Sequence, residues 1–301
     1  MSGTKVVVDV EGRHVALTNL EKVLYPDGFT KGQVVDYYTR VAPVLLPHLA
    51  GRAVTRKRYP DGVDGPVFFE KNAPRGTPDW VRTEVLPSPG STKGRDTIEY
   101  VVVDDLATLV WTANLAALEL HTHMWRVVHP RGKPARQAPP DLLVLDLDPG
   151  PPATVVDCCE VALLLREALA EDGHEPLAKT SGNKGLQLYA RATGLRSAEE
   201  TSAYAKGLAQ RFEQSHPDLV VHRMAKTLRP GKVLLDWSQN SAAKTTVSVY
   251  SLRARDTPTV STPVTWAEVE ACREPADLVF TSDDVLARVA EHGDLFAPLL
   301  G

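Results

Sequence analysis

The stretch LVLDLDPG ends an apolar run in two carboxylates, Asp146 and Asp148, separated by one residue. An apolar run bounded by Pro and Gly reads as a buried strand, in which residues i and i+2 share a face. Two acids side by side at the end of a hydrophobic element repel each other and lose hydration, and a bound divalent cation relieves both costs. Hard oxygen donors of this kind suit Mg²⁺ or Mn²⁺. A lone D-x-D is also what a solvated strand end looks like, so its weight depends on its company. Asp236 ends a second apolar run, VLLD. A third acid delivered beside the first two completes a set able to hold two ions about 4 Å apart, which clamp the attacking and leaving oxygens of a phosphoryl displacement. Equally, Asp236 is the kind of acid that pairs with a nearby Arg229 or Lys232.

Between these acids lies TSGNKGLQLY, residues 180–189. Its glycines, Ser181 and Lys184 on a turn between strands offer backbone N–H groups and a cation to phosphate oxygens. The pattern is not a Walker A loop, and by itself it is also a tight hairpin. Further cations cluster in TRKRYP (Arg56, Lys57, Arg58), in AKTLRPGK (Lys226, Arg229, Lys232) and in Lys244, Arg253 and Arg255. Arg56 and Arg58 share one strand face and Lys57 takes the other, a pattern that also serves to guard an edge strand. Phe68 and Phe69 follow the first cluster. An aromatic beside cations can stack on an unpaired base, although one of two adjacent Phe residues is usually core. His121 and His123 are placed on one strand face, without the cysteines a zinc site would add. The remaining histidines lack ligand spacing and read as surface or helix-end residues.

The elements that must carry these groups are legible as an α+β pattern. A hairpin is expected over 5–17 with Glu11-Gly12 at its turn, a short helix capped by Asn19 and running to Leu24, and a longer helix opened by Thr30 and running to Leu49. Strands follow at 53–59 and 66–70, then a Pro/Gly/Ser-rich loop near 85–95, the strand IEYVVVDD, a helix from Asp104 to Leu118, and a strand over 119–128. After the Pro-rich stretch 130–140, Thr154 caps a helix ending near Gly173, strands occupy 176–180 and 185–190, and a helix runs from about Ser197 to Ser215. A β-branched strand is expected from Thr245 to Tyr250, a capping box at Thr265 and Glu268, and a last helix from Ser282 to His292.

The 301 residues suffice for one large or two medium domains, and the composition, 43% hydrophobic and 24% charged, is that of an ordinary globular protein. No window has the apolar length of a membrane span, and the N-terminal residues lack the form of a secretory signal, so a cytoplasmic location is expected. Cys158, Cys159 and Cys272 have neither disulfide-framework nor zinc-finger spacing. The net charge of −4 hides an asymmetry: nine acids and two bases follow from Asp256 onward, so the preceding residues are mildly basic. Local patches, not the sum, govern attraction to phosphates.

Taken together, DLDPG, SGxKG, KxLRxGKVxxDWSQN and SLRxR occur here in that order, preceded by LTNLEKVLYP, TRKRYPDGVD, FFEKN and ALELHTHMW. The sequence thereby resembles the polymerase module of bacterial multifunctional ligase D, within the archaeo-eukaryotic primase superfamily, from about Leu17 to Leu295. The resemblance implies a primase-like core of mixed or antiparallel sheets flanked by helices, and one domain over 1–301. Residues 1–140 would carry 5′-phosphate and template contacts, 141–255 the catalytic motifs and 256–301 an acidic helical end. It implies a repair polymerase filling gaps or double-strand-break ends in bacterial end joining, with a preference for ribonucleotides and two Mn²⁺ (or Mg²⁺) ions. By position, Asp146, Asp148 and Asp236 match the metal-binding triad. Lys57, His121, Ser181, Lys184, Gln187, Arg229 and Arg253 match residues that hold the incoming NTP or dNTP. Asn19, Lys22 and Lys31 match the pocket for a 5′-phosphate on gapped or broken duplex DNA, and Phe68 and Phe69 the aromatics that stack on the template.

One residue departs from the pattern: Gln187 stands where the family usually has His, exchanging an ionisable ring for a neutral amide. No ligase or nuclease module accompanies the sequence, so a free-standing enzyme or one module of a larger one is implied, nucleoid-associated, with Ku and a DNA ligase as partners and no membrane. A primase-polymerase starting chains de novo, a non-catalytic end-binding module and a metal nuclease are the competing readings.

Overall fold

A computed structural model describes residues 5–88 and 96–300. Part of the Pro/Gly/Ser-rich stretch near 85–95 therefore lies outside the described residues, and its beginning belongs to the strand Thr83–Pro87. The chain folds into two compact units. One is built from residues 1–138, 247–260 and 281–294, the other from 139–246, 261–280 and 295–301. The break at 138/139 falls in the Pro-rich stretch, and the acidic C-terminal residues are divided between both units.

The second unit is a sheet with the order Val220–Val221, Val233–Asp236, Leu142–Pro149, Leu186–Arg191, Leu177–Thr180, Pro263–Val264. Its pairings are antiparallel except the first, which is parallel. Alternation along the strands sorts the faces. Leu143, Leu145, Leu147, Leu186, Leu188, Val233, Leu235 and Ala178 enter a core with Cys158, Ala162, Leu165, Leu208 and Phe212 of two helices. Those helices are Val155–Glu171, opened by a capping box of Thr154 and Asp157, and Ala198–Ser215, capped by Ser197. Every residue alternating with that apolar set, including Asp146, Asp148, Gln187, Lys179 and Asp236, is thereby turned to the opposite face.

The first unit opens with the hairpin Lys5–Val10 and Arg13–Thr18, its turn at Glu11 and Gly12 in left-handed backbone. The helix Lys31–Leu49 starts in a capping box of Thr30 and Gln33 and buries Val34, Tyr38, Val41, Leu45 and Leu49 as one stripe. An antiparallel sheet runs Ala117–Thr122, Ala53–Arg58, Thr97–Val102, Thr83–Pro87, and Phe68–Glu70 pairs with the far end of Ala53–Arg58.

Four expected elements are corrected. Residues 19–24 form a turn and a bridge, not a helix, because Asn19 is left-handed (φ 52) and Lys22 donates its amide to the Asn19 carbonyl at 3.1 Å. The helix expected over Asp104–Leu118 is Leu106–Asn114, since Ala116 at φ 56 turns the chain into the next strand. The strand expected over 119–128 is two, Ala117–Thr122 and Trp125–Val128, so His121 and His123 do not share a strand face; His123 is buried, stacked on Trp125 at 4.3 Å between centroids. Of Thr245–Tyr250 only Thr246–Val247 is strand. His174, read as a surface or helix-end residue, follows the end of the helix Val155–Glu171 and is buried against Tyr204.

Two glycines sit where a side chain has no room. A Cβ on Gly150 would lie 2.1 Å from the Arg229 carbonyl oxygen, and one on Gly185 would lie 2.3 Å from that of Leu147. In contrast, Gly207, within the helix Ala198–Ser215, has open space around the same position. Gly207→Ala is therefore expected to stabilise the fold by about 0.5–1 kcal/mol, through helix propensity and reduced chain entropy. Gly150→Ala is expected to destabilise it by about 1–3 kcal/mol or more, because backbone cannot move aside like a flexible side chain. Denaturant melts of the two variants decide this, and equal effects would contradict it.

Candidate metal and phosphate sites

Register explains why separated acids meet. Asp146 lies directly opposite Asp236 on one neighbouring strand and Gln187 on the other, and Gln187 lies opposite Lys179. The result is a straight row across four strands: Asp236, Asp146, Gln187, Lys179. Directly opposed residues on antiparallel strands have Cβ atoms about 5 Å apart. Asp148, two residues on from Asp146, shares the same face. Three carboxylates, from two strands distant in sequence, thus occupy one patch of sheet.

Hydrogen bonds run along this row. Lys179 Nζ donates to Gln187 Oε1 at 2.5 Å and to Ser261 Oγ at 2.6 Å, and Gln187 Nε2 donates to Asp146 Oδ1 at 2.9 Å. An amide can join a buried cation to a carboxylate because it accepts at one end and donates at the other. Burial and the neighbouring Asp148 push the Asp146 carboxyl up to about 7, against the Gln187 bond. Asp236 is turned to its own chain: Ser238 donates from N (2.9 Å) and Oγ (2.5 Å) to Oδ1, and Gln239 Nε2 to Oδ2 at 2.9 Å. Among the described residues no three acids, histidines or cysteines already enclose a point in metal-ligand geometry. The set nonetheless fits a divalent cation. Its donors are hard oxygens on one face, and the raised Asp146 records a negative charge the protein alone does not offset.

The loop after Thr180 is folded around Ser181, whose Oγ accepts from Asn183 N (3.3 Å) and Gly185 N (3.1 Å). Lys184 is exposed and donates to the Pro149 carbonyl at 3.2 Å. Arg229 donates from Nη2 to Met224 O at 2.6 Å, and among the described residues its buried Nε has no acceptor. No carboxylate neutralises either cation in these bonds.

In the first unit, Lys57, His121 and Arg253 meet at Glu119. This acid lies opposite Lys57 in register and two residues before His121. Lys57 Nζ and His121 Nε2 bond to its Oε2 at 3.0 and 2.9 Å, and Arg253 Nε lies 3.5 Å from its Oε1. Glu119 stood unassigned within the motif ALELHTHMW. Its sequence signal, an acid alternating with apolar residues on a strand that also carries a histidine, was present but not specific. Lys179 was likewise missed, being recognisable only once the strand order is known. Arg56, grouped by sequence with its exposed-looking neighbours, is fully buried and donates to the Asn72 carbonyl.

The expected 5′-phosphate residues also come together. Lys31 N donates to Lys22 O at 2.8 Å, and Lys31 Nζ is held by the Thr18 carbonyl (2.6 Å) and hydroxyl (3.2 Å). Burial, with Lys22 and Arg58 nearby, lowers the Lys31 ammonium to about 8. Lys22 bonds Asp61 at 2.9 Å. Asn19 contributes its carbonyl to the turn. Phe68 and Phe69 are 46% and 51% exposed, so neither is core, and Phe69 meets the His121 ring edge-on at 6.0 Å between centroids.

Comparison with known proteins puts this α+β chain in the polymerase class of nucleotidyltransferases. A family model described as the LigD primase-polymerase domain matches residues 30–296, and the chain belongs to that family. It is 45% identical over 290 residues to the multifunctional non-homologous end joining DNA repair protein LigD of Mycobacterium tuberculosis, covering 95% of this chain and 37% of that protein. It is 32% identical over 278 residues to the bifunctional non-homologous end joining protein LigD of Bacillus subtilis, covering 92% of this chain and 42% of that one. The chain thus spans less than half the length of these relatives. The solved polymerase domain from M. tuberculosis ligase D in complex with DNA superimposes with a TM-score of 0.89 at 44% identity, covering 95% of this chain and 98% of that one. A polymerase domain of this kind uses a divalent metal.

The raised Asp146 carboxyl has a stability consequence. Its contribution is fully present below the ordinary carboxylate range and is lost as the pH rises through about 7, where the folded chain must hold a buried charge. Asp146→Asn removes that charge and keeps the shape. The variant is expected to melt above the wild type at pH 8, with the gap narrower at pH 5. Thermal melts at both values that run parallel would contradict this.

Proposed function

We propose that this chain is a template-directed repair polymerase that extends a primer 3′-hydroxyl at gaps or broken ends, with Asp146, Asp148 and Asp236 holding two divalent ions, Mn²⁺ favoured. The observation that carries the reading is the register that sets Asp236 against Asp146 while Asp148 shares their face. Bound there, the metal neutralises charge on the reacting phosphates and the attacking oxygen. The chain's own residues do the rest. Gln187 orients the Asp146 carboxylate. Ser181, Lys184 and Arg229 bind phosphate oxygens of the incoming nucleotide, Arg bidentately and Lys as a point charge, and Lys57, His121 and Arg253 are a further nucleotide-binding group. The primer hydroxyl attacks the α-phosphate and pyrophosphate leaves, so no side-chain nucleophile is needed.

Lys22 and Lys31, with Asn19 shaping their turn, bind the 5′-phosphate beyond the gap, and Phe68 and Phe69 stack on the template. The exposed aromatic pair and the lowered Lys31 ammonium support this assignment. The DNA in the solved mycobacterial domain and the end-joining names of the relatives favour broken duplex DNA as substrate. Ribonucleotides as preferred monomers, and Ku and a ligase as co-workers in the bacterial cytoplasm, rest on the sequence resemblance alone.

Replacing Asp146 and Asp148 together by Ala is expected to abolish primer extension on a one-nucleotide gap while sparing binding of 5′-phosphorylated gapped DNA. Extension that survives would refute the metal assignment. Lys22→Ala and Lys31→Ala are expected to erase the preference for gaps bearing the phosphate. Wild-type protein that binds phosphorylated and unphosphorylated gaps equally well would remove that pocket from the account.

A further inference from the structure

Glu119 is an acid at the centre of a cation cluster, the reverse of what anion binding by simple attraction would select. Its carboxylate is 2% exposed, whereas Lys57, Arg253 and His121 around it are 24%, 16% and 13% exposed. The anion is innermost and the cations stand outward, so a ligand arriving from solvent meets the cations first. Both carboxylate oxygens are used. Oε2 takes Lys57 and His121, and Oε1 takes the Ala254 amide at 3.2 Å and the Tyr59 hydroxyl at 3.4 Å, with Arg253 Nε at 3.5 Å. Burial opposes the charge, yet the His121 bond and the charges of Arg253, His121 and Lys57 hold the carboxyl well below its usual range. It is therefore a fixed anion.

We propose that Glu119 is a positioning residue for phosphate recognition, holding Lys57, His121 and Arg253 as one preset group. The proposal rests on the reading that these three side chains bind the incoming nucleotide. Without the acid, the Lys57 and Arg253 charges repel and each long side chain regains rotamers in water; with it, that ordering is complete before the ligand arrives. The bond to Oε2 also places a proton on His121 Nε2, because a carboxylate can only accept. A net attraction for phosphate survives, since Lys57 and Arg253 carry two positive charges against one buried acid.

The test uses the full chain and equilibrium titration with a nucleoside triphosphate, and separately with inorganic tripolyphosphate in the absence of metal. Glu119→Gln is expected to weaken triphosphate binding by about tenfold, equivalent to about 1.4 kcal/mol. The double variant with Lys57→Met should lose less than the product of the two single losses, because part of the acid's effect acts through Lys57. The combination with Lys184→Met, whose cation is held elsewhere, should multiply. The ¹⁵N resonances of His121 should move from one Nε2-protonated tautomer to a mixture. Should Glu119→Gln fail to fold, Glu119→Asp keeps the charge, shortens the reach, and is expected to weaken binding severalfold. Binding by the folded variant that is unchanged or tighter, or losses that multiply with Lys57→Met, would overturn the positioning role while leaving the polymerase reading intact. A wild-type protein that binds no triphosphate would overturn both.

Discussion

Asp146 and Asp236 face each other across adjacent antiparallel strands, and the site depends on that single pairing. Opposed like charges on neighbouring strands destabilise a sheet, the more so when one is buried. The fold tolerates them because the same strands bury Leu143, Leu145, Leu147, Val233 and Leu235 on their other face. A one-residue slip in either strand would send the aspartates into that apolar layer and the leucines out of it, so the hydrophobic pattern locks the register that gathers the acids. The cost of the carboxylate pair is met by packing on the reverse side of the sheet.

Once the row is fixed, its polar members follow from what each neighbour can offer. In this row Gln187 stands between Lys179 and Asp146, accepting a hydrogen bond from the first and donating one to the second. Histidine, which the family usually carries here, could donate to Asp146 too, but would bring a second titrating group beside a carboxyl already raised to about 7. The amide keeps the bond and leaves the charge of the row to the acids and Lys179. The two units also treat their cations differently. Lys184 and Arg229 bond backbone carbonyls, whereas Lys57, His121 and Arg253 are tied to a buried acid.

Much of this was legible in the amino-acid order, because apolar alternation and capping residues act locally. The helices after Thr30, Thr154, Ser197 and Thr281, the opening hairpin and the strands carrying the three aspartates all follow from such signals. The failures share a cause. Asn19 looked like a helix cap, but its left-handed backbone serves a turn that brings Lys22 against Lys31. The helix after Asp105 stopped early because Ala116 takes a backbone angle its residue type does not announce. Lys179 and Glu119 were invisible as site residues since their meaning lies in who sits opposite, a relation between strands that no local window contains.

The register account is tested most directly by growing crystals in Mn²⁺ and locating the ion by its anomalous scattering. Density is expected in contact with the carboxylates of Asp146, Asp148 and Asp236, with Asp236 released from Ser238 or Gln239 to reach it. An ion bound elsewhere, or held without Asp236, would contradict the claim that strand pairing assembles the centre.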